Sequence, residues 1–162
     1  MLKYADTLVT FSEIPDEITL AINISNCPCN CKGCHSQYLA GDIGEVLNWE
    51  SLEKLVKDNT GISCISFMGG DNDPHLVDVL AEMIKYKYPN IKTAWYSGKQ
   101  ELAKEIHLYN FDYIKLGPYM EDKGPLTSTT TNQKFYRVVS MSSGKYKKIN
   151  ITNKFWKNEI KD

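Results

Sequence analysis

The stretch "NISNCPCNCKGCHSQ", residues 23–37, contains four of the five cysteines in this 162-residue chain. They lie within eight positions: Cys27, Cys29, Cys31 and Cys34. An odd number of cysteines at such close spacing argues against a disulfide framework. In a reducing compartment, clustered cysteines more often indicate a metal site or catalysis.

Three of the cysteines have the spacing C-x3-C-x2-C, and Pro28, Asn30 and Gly33 between them let a short loop curl. A 4Fe–4S cluster normally takes four thiolates, so three would leave one iron open to another ligand. Zinc bound by all four cysteines, or by His35, is the alternative. Zinc sites usually add a second ligand pair further along the chain, and here only Cys64, His75 and His107 remain.

The composition places the whole chain, residues 1–162, in one globular domain. It is 42% hydrophobic and 24% charged, with a net charge of −1, which excludes intrinsic disorder. We expect no nucleic-acid partner, because no global basic field is present. We expect no membrane span, because no apolar run approaches about 20 residues. The first twenty residues do not resemble a secretory signal, so we expect a cytoplasmic location.

Coarse patterning alternates strands with helices. A helix is predicted from the N-cap Asn48 to about Asn59, a second from Pro74, and a shorter one carrying Leu102 and Ile106. Strands are predicted in "ITLAINI" (18–24), at 62–67, in "IKTAWYSG" and in "FDYIKLGPY", followed by a hairpin formed by "KFYRVVS" and "YKKINIT".

This order predicts an α/β fold, a partial, open βα barrel with a C-terminal hairpin, because a full barrel needs about 250 residues. Ligands bind such sheets beyond the carboxyl ends of the strands. That rule places four segments on one rim: the cysteine loop, Gly69–Asp71, Ser97–Gly98 and Gly117–Tyr119.

The C-x3-C-x2-C loop resembles the signature of the radical S-adenosylmethionine enzymes. The resemblance implies a 4Fe–4S cluster on Cys27, Cys31 and Cys34, with Cys29 as a spectator whose loss is tolerated. It also implies that the open iron chelates the methionine end of S-adenosylmethionine. One electron then breaks a carbon–sulfur bond, and the resulting 5′-deoxyadenosyl radical abstracts a hydrogen atom.

Other segments resemble the cosubstrate motifs of that superfamily. Gly69-Gly70-Asp71 stands where Gly-Gly-Glu holds the methionine amine, and Ser97-Gly98 stands where Tyr-Thr-Gly is usual. The expected S-adenosylmethionine contacts are His35, Gly69, Gly70, Asp71, Ser97, Gly98 and Lys115. Each motif also has a plain structural interpretation, as a strand-to-helix turn, a capping serine and, for Lys115, a solvated charge at a strand edge.

The segment "FDYIKLGPYMEDKGPLTSTTTNQKFYRV" narrows the resemblance to the anaerobic ribonucleoside-triphosphate reductase activating proteins, over about Val9 to Val138. This resemblance implies an oxidoreductase that generates a glycyl radical on that reductase. An electron donor such as flavodoxin or ferredoxin would reduce the cluster. Asn132 and Gln133 would shape the rim, contact the partner or simply close a loop.

Two other classes of function stay open. One is another small radical S-adenosylmethionine enzyme, such as a pyruvate formate-lyase-type activase. The other is a non-enzymatic iron–sulfur or zinc module.

Overall fold

The computed structural model describes residues 1–156, which form eight strands, two α-helices and three short 3₁₀ helices. The strands are β1 (Leu2–Thr10), β2 (Thr19–Ile24), β3 (Glu45–Leu47), β4 (Cys64–Met68), β5 (Lys92–Tyr96), β6 (Tyr113–Leu116), β7 (Lys134–Ser140) and β8 (Tyr146–Asn150). The α-helices are α1 (Trp49–Asp58) and α2 (Pro74–Lys87), and the 3₁₀ helices span Gln37–Ala40, Leu108–Asn110 and Thr152–Phe155.

The strands join one sheet in the order β3-β1-β2-β4-β5-β6-β7-β8. The central strands β2, β4, β5 and β6 are parallel, so their carboxyl ends meet at one edge. β7 runs antiparallel to β6, and β7 and β8 form the expected C-terminal hairpin, closing with Ser140 opposite Tyr146. The topology therefore places the four predicted rim segments, each of which follows one of these strands, at the same edge of the sheet.

Two strands, β1 and β3, are not predicted by the sequence pattern. β1 pairs antiparallel with β2, and the register shifts between Tyr4 and Asp6. Leu2 is fully buried, whereas Leu8 is 59% exposed. The alternation that would identify a strand is lost, because the register shift and the edge of the core fall within β1.

The helix α1 begins after the predicted N-cap Asn48, and α2 begins at Pro74 as predicted. Asn48 and Ser51 form a reciprocal capping box on α1, and Asp73 caps α2 in front of Pro74. The helices pack on the sheet through a buried apolar cluster: Leu52, Val56, Val77, Leu80, Ala81, Ile84, Ile65, Phe67, Trp95 and Ile114. A second, smaller cluster around Phe135 includes Ile14 and Leu126, so loops cover part of the sheet there.

The predicted short helix carrying Leu102 and Ile106 is wrong, since this segment forms bends and turns. Both side chains nevertheless contact the core. The carboxylate of Asp78 on α2 accepts a hydrogen bond from the backbone N–H of His107 at 2.8 Å and contacts its Nδ1 at 2.7 Å. This bond from a distant residue replaces the internal pairing that a helix would supply.

The structure agrees with the α/β expectation at the level of a mixed sheet with helices, and the partial radical S-adenosylmethionine barrel stays a prediction. The predicted single domain includes residues 157–162, which lie outside the described residues. No helix between residues 1 and 156 is long and apolar enough to cross a lipid bilayer.

Candidate functional site

Contacts beyond the carboxyl ends of the parallel strands bring together the four predicted rim segments. The Sγ atom of Cys29 lies 3.7 Å from Oδ2 of Asp71, and the backbone N–H of Gly98 donates to the same oxygen at 2.9 Å. The Lys115 ammonium donates both to the carbonyl oxygen of Ser97, at 3.2 Å, and to that of Gly117, at 2.7 Å, which joins the last two segments. The predicted co-location of these segments is therefore confirmed.

The cysteine loop folds through left-handed backbone conformations. Asn26, Asn30 and Gly33 have φ values of 62°, 48° and 73°. Asparagine and glycine tolerate this region better than other residues, so the sequence suits a tight loop. The backbone N–H of Cys27 donates to the carbonyl of Leu39 at 2.9 Å, which anchors the loop to the following segment.

Cys27, Cys31 and Cys34 line one pocket of about 360 Å³. The backbone N–H of Ser36 donates to the Sγ atom of Cys34 at 3.4 Å, a type of bond that tunes thiolate ligands of iron–sulfur clusters. This donor set and its pocket fit a cluster held by three thiolates. Within residues 1–156, no three His, Cys, Asp or Glu side chains gather around a single metal ion. A cluster does not require that arrangement, because each thiolate binds a different iron atom.

Cys29 is not among the residues that line that pocket, and its Sγ atom lies 3.7 Å from Oδ2 of Asp71. Burial, followed by the nearby Asp71 carboxylate, raises the pKa of the Cys29 thiol to about 12. Its contact with Asp71, which is not among the residues that line the cysteine pocket, separates Cys29 from the three cysteines that do line it. This environment agrees with leaving Cys29 out of the ligand set.

Asp71 braces the loops after β4 and β5. Its Oδ1 accepts the hydroxyl hydrogen bond of the buried Ser97, and its Oδ2 accepts the N–H of Gly98. Gly69 accepts a 2.8 Å bond from the Trp95 indole N–H. These bonds within the protein agree with the structural interpretation of the segment, as a strand-to-helix turn. Its assignment to the methionine end of a cosubstrate stays a prediction.

Gly70 is required by packing as well as by its φ of 88°. A Cβ atom there would lie 2.6 Å from Cγ2 of Val77 on α2. The glycine therefore lets the turn after β4 approach the helix closely, on the core side of the sheet.

Lys115 is buried, with 8% of its surface exposed, so its interpretation as a solvated strand-edge charge is wrong. Its ammonium donates to the carbonyl oxygens of Ser97, at 3.2 Å, and of Gly117, at 2.7 Å. Burial lowers the pKa of Lys115 to about 8, while Asp71 and the nearby thiols oppose that shift. Three N–H donors and two such partners leave one donor available.

A second pocket, of about 420 Å³, adjoins the cysteine pocket, and Cys34 and Ser36 line both. Two other predicted site residues, His35 and Lys115, also line it. Tyr119 belongs to a predicted rim segment, whereas the sequence pattern did not indicate the lining side chains of Glu13, Tyr96, Leu126 and Phe155. These residues lie far apart in the sequence, in two loops, at the end of β5 and in the last 3₁₀ helix, and they share no motif. The Tyr96 hydroxyl donates to the carbonyl oxygen of Glu13, and Tyr96, Leu126 and Phe155 pack in the cluster around Phe135.

Asn132 and Gln133 lie where the loop before β7 meets the loop after β6. The Asn132 side chain donates to the carbonyl of Pro118 at 3.0 Å. Gln133 is buried, and its Cα atom would lie 3.2 Å from a Cβ atom at Gly117. Both residues therefore have loop-closing contacts, and Gln133 also lines the second pocket.

Comparison with known proteins gives one match. Residues 18–139 match the family described as a 4Fe–4S single cluster domain. Neither the curated proteins nor the solved structures give a match. The matched range begins one residue before β2 and ends within β7, so it includes the cysteine loop and all four parallel strands. Because the match spans most of the sequence, this chain belongs to the 4Fe–4S single cluster domain family.

Proposed function

We propose that this chain is a radical S-adenosylmethionine activase that generates a glycyl radical on an anaerobic ribonucleoside-triphosphate reductase. The observation that carries the proposal is the pair of adjoining pockets. One is lined by Cys27, Cys31 and Cys34, and the other shares Cys34 and Ser36 with it. A cosubstrate in the second pocket would lie beside a cluster held in the first.

The three cysteines of the first pocket would hold the 4Fe–4S cluster that family membership supports. When bound, the cluster supplies the single electron that cleaves S-adenosylmethionine reductively. The Ser36 N–H stabilises the Cys34 sulfur in its ligating form. Cys29 does not line this pocket, and its Sγ atom lies 3.7 Å from Oδ2 of Asp71 instead.

The second pocket offers charges that suit the zwitterionic methionine end of S-adenosylmethionine. Lys115 supplies a buried ammonium group with one free N–H, and Glu13 supplies a carboxyl group. His35, whose ring lies 5.7 Å from that of Tyr119, adds a flat surface at the margin. The turns at Gly69–Asp71 and Ser97–Gly98 hold the adjoining strand ends in place.

The partner is proposed from the sequence resemblance in the segment that carries Asn132 and Gln133. This segment packs against Gly117 and Pro118 and contributes to the wall of the second pocket. A backbone glycine of the reductase would have to enter a pocket that is bordered by exposed residues such as His35 and Thr127. An electron donor such as flavodoxin or ferredoxin would deliver the reducing electron.

Anaerobic cluster reconstitution followed by reduction with S-adenosylmethionine tests the proposal. We expect release of 5′-deoxyadenosine and methionine by the unmodified protein. Cys31→Ala should lose iron and this release, because it removes one of three ligands. The matched control is Cys64→Ala, since Cys64 is fully buried in β4, outside the cysteine loop.

Adding the anaerobic reductase should then give a glycyl radical signal in electron paramagnetic resonance. A cluster that forms without any cleavage of S-adenosylmethionine would refute the proposal and favour an electron-transfer module. Cleavage without a glycyl radical on this reductase would instead favour another radical S-adenosylmethionine enzyme.

A further inference from the structure

Cys29 makes contacts that neither a cluster ligand nor a spectator needs. Its Sγ atom lies 3.7 Å from Oδ2 of Asp71, and Asp71 is itself held by Ser97 and by the backbone N–H of Gly98. A single side chain from the cysteine loop thus meets the loops that follow β4 and β5. None of the three cysteines in the cluster pocket has a hydrogen bond to those loops among the described residues.

The Cys29 side chain also occupies the space in front of Gly98. A Cβ atom at Gly98 would lie 2.6 Å from the Cys29 sulfur and 3.1 Å from its Cβ atom. Gly98 is not among the glycines with positive φ, so its backbone conformation does not itself require glycine. The sulfur of Cys29 is therefore what excludes a larger residue at position 98.

We propose that Cys29 is a positioning residue that fixes the cysteine loop against Asp71 and Gly98. We call this three-residue contact the Cys29 latch. The latch sets the distance between the cluster pocket and the strand ends that border the cosubstrate pocket. This inference rests on the proposed function, and it assigns a role to the one loop cysteine that the ligand set leaves out.

Four variants separate positioning from ligation: Cys29→Ala, Cys29→Ser, Gly98→Ala and the double variant Gly98→Ala with Cys29→Ala. We expect Cys29→Ala to retain iron and the absorbance of the cluster. Its affinity for S-adenosylmethionine should fall roughly 3- to 10-fold, the effect of losing one modest hydrogen bond and its packing. Cys29→Ser should recover most of that loss, because a hydroxyl can also donate to Asp71.

Gly98→Ala should weaken S-adenosylmethionine binding more than Cys29→Ala does, because the added methyl group displaces the sulfur. The double variant should bind better than Gly98→Ala alone, since removing the sulfur relieves the closer of the two contacts, the one at 2.6 Å. Gly41→Ala is the matched control. Gly41 has an ordinary φ of −74°, and its nearest Cβ contacts would be 3.6 Å.

The readouts are iron content, the change that S-adenosylmethionine causes in the electron paramagnetic resonance spectrum of the reduced cluster, and thermal unfolding of the metal-free protein. Iron loss in Cys29→Ala equal to that in Cys31→Ala would make Cys29 a ligand and overturn the latch. Unchanged S-adenosylmethionine binding in Cys29→Ala would also overturn it.

Failure of the proposed function can be distinguished from failure of the latch. If the unmodified protein shows no response to S-adenosylmethionine, the proposed function fails, and thermal unfolding then decides the latch. Non-additive effects of the two substitutions on the melting temperature would support the contact. Additive effects would overturn it.

Discussion

Lys115 illustrates at the scale of one residue how burial changes the role of a side chain. Two backbone carbonyls, those of Ser97 and Gly117, accept from its ammonium group. These bonds offset part of the cost of burying a charge, and they also hold the ends of β5 and β6 at a fixed separation. Lys115 also lines the pocket that we assign to S-adenosylmethionine.

We therefore expect Lys115→Met to weaken binding of S-adenosylmethionine to the reconstituted protein by roughly tenfold or more, the usual worth of a hydrogen bond to a charged group. Anaerobic isothermal titration calorimetry measures this change. Lys147→Met is the control, because Lys147 is exposed on β8. Equal affinities in the two variants would contradict the assignment of Lys115.

At the scale of elements, the α-helices depend on local signals at their first turns. The Asn48 side chain accepts from the N–H of Ser51 at 2.9 Å, and the Ser51 hydroxyl accepts from the N–H of Asn48 at 3.0 Å. These bonds pair two backbone donors that the helix leaves free. The start of α1 is thereby fixed without any contact to the candidate site.

Asn48→Ala should lower the free energy of unfolding by about 1 kcal/mol, the usual cost of losing an N-cap. Urea denaturation should show a lower midpoint with an unchanged m-value. Asn90→Ala serves as the control, since Asn90 is exposed in the turn after α2. A shift no larger than that of the control would argue against the capping box.

At the scale of the whole molecule, a charged cluster lies at the end of the sheet opposite the candidate site. Buried Glu17 accepts from Ser63 at 2.6 Å, from Tyr113 at 3.2 Å and from Lys92. These bonds connect the loop after β1 to the amino ends of β4, β5 and β6. The N-terminal segment is in this way attached to the parallel core.

This cluster predicts a fall in stability at alkaline pH. Burial, and then the Glu17 carboxylate, raise the pKa of Tyr113 from 10.0 to about 12. As the pH rises, the unfolded chain loses the Tyr113 proton at a lower pH than the folded protein does. The contribution of Tyr113 to the free energy of unfolding is therefore fully present below about pH 10, and roughly 2 kcal/mol of it is lost as the pH rises to about 12. Tyr113→Phe should reduce that fall, as measured by urea denaturation between pH 9 and pH 12.

Tyr136→Phe is the control for this experiment, because Tyr136 is a partly buried tyrosine on β7 and its ring contacts Lys148. It should keep the alkaline fall of the unmodified protein. An unchanged alkaline fall in Tyr113→Phe would refute the contribution of the Glu17 cluster.

The sequence by itself determined the features that depend on neighbouring residues. The N-cap Asn48, the first-turn Pro74, the apolar spacing of α2 and the clustered cysteines all lie within short stretches. Local patterns report such features directly, because helix periodicity and loop chemistry need no distant partner. Parallel strand order then placed the rim segments together by a general rule of topology.

Only the tertiary structure decided which side chains those segments bring into contact. Leu102 and Ile106 have helical spacing, yet their segment is not helical. The backbone N–H of the adjoining His107 donates instead to the carboxylate of Asp78, a residue distant in the sequence. Lys115 is a charged residue, yet it lies on a central strand between β5 and β7 and is buried. The contact of Cys29 with Gly98 joins residues 69 positions apart. Such contacts depend on how strands are ordered and loops cross, and no local pattern encodes them.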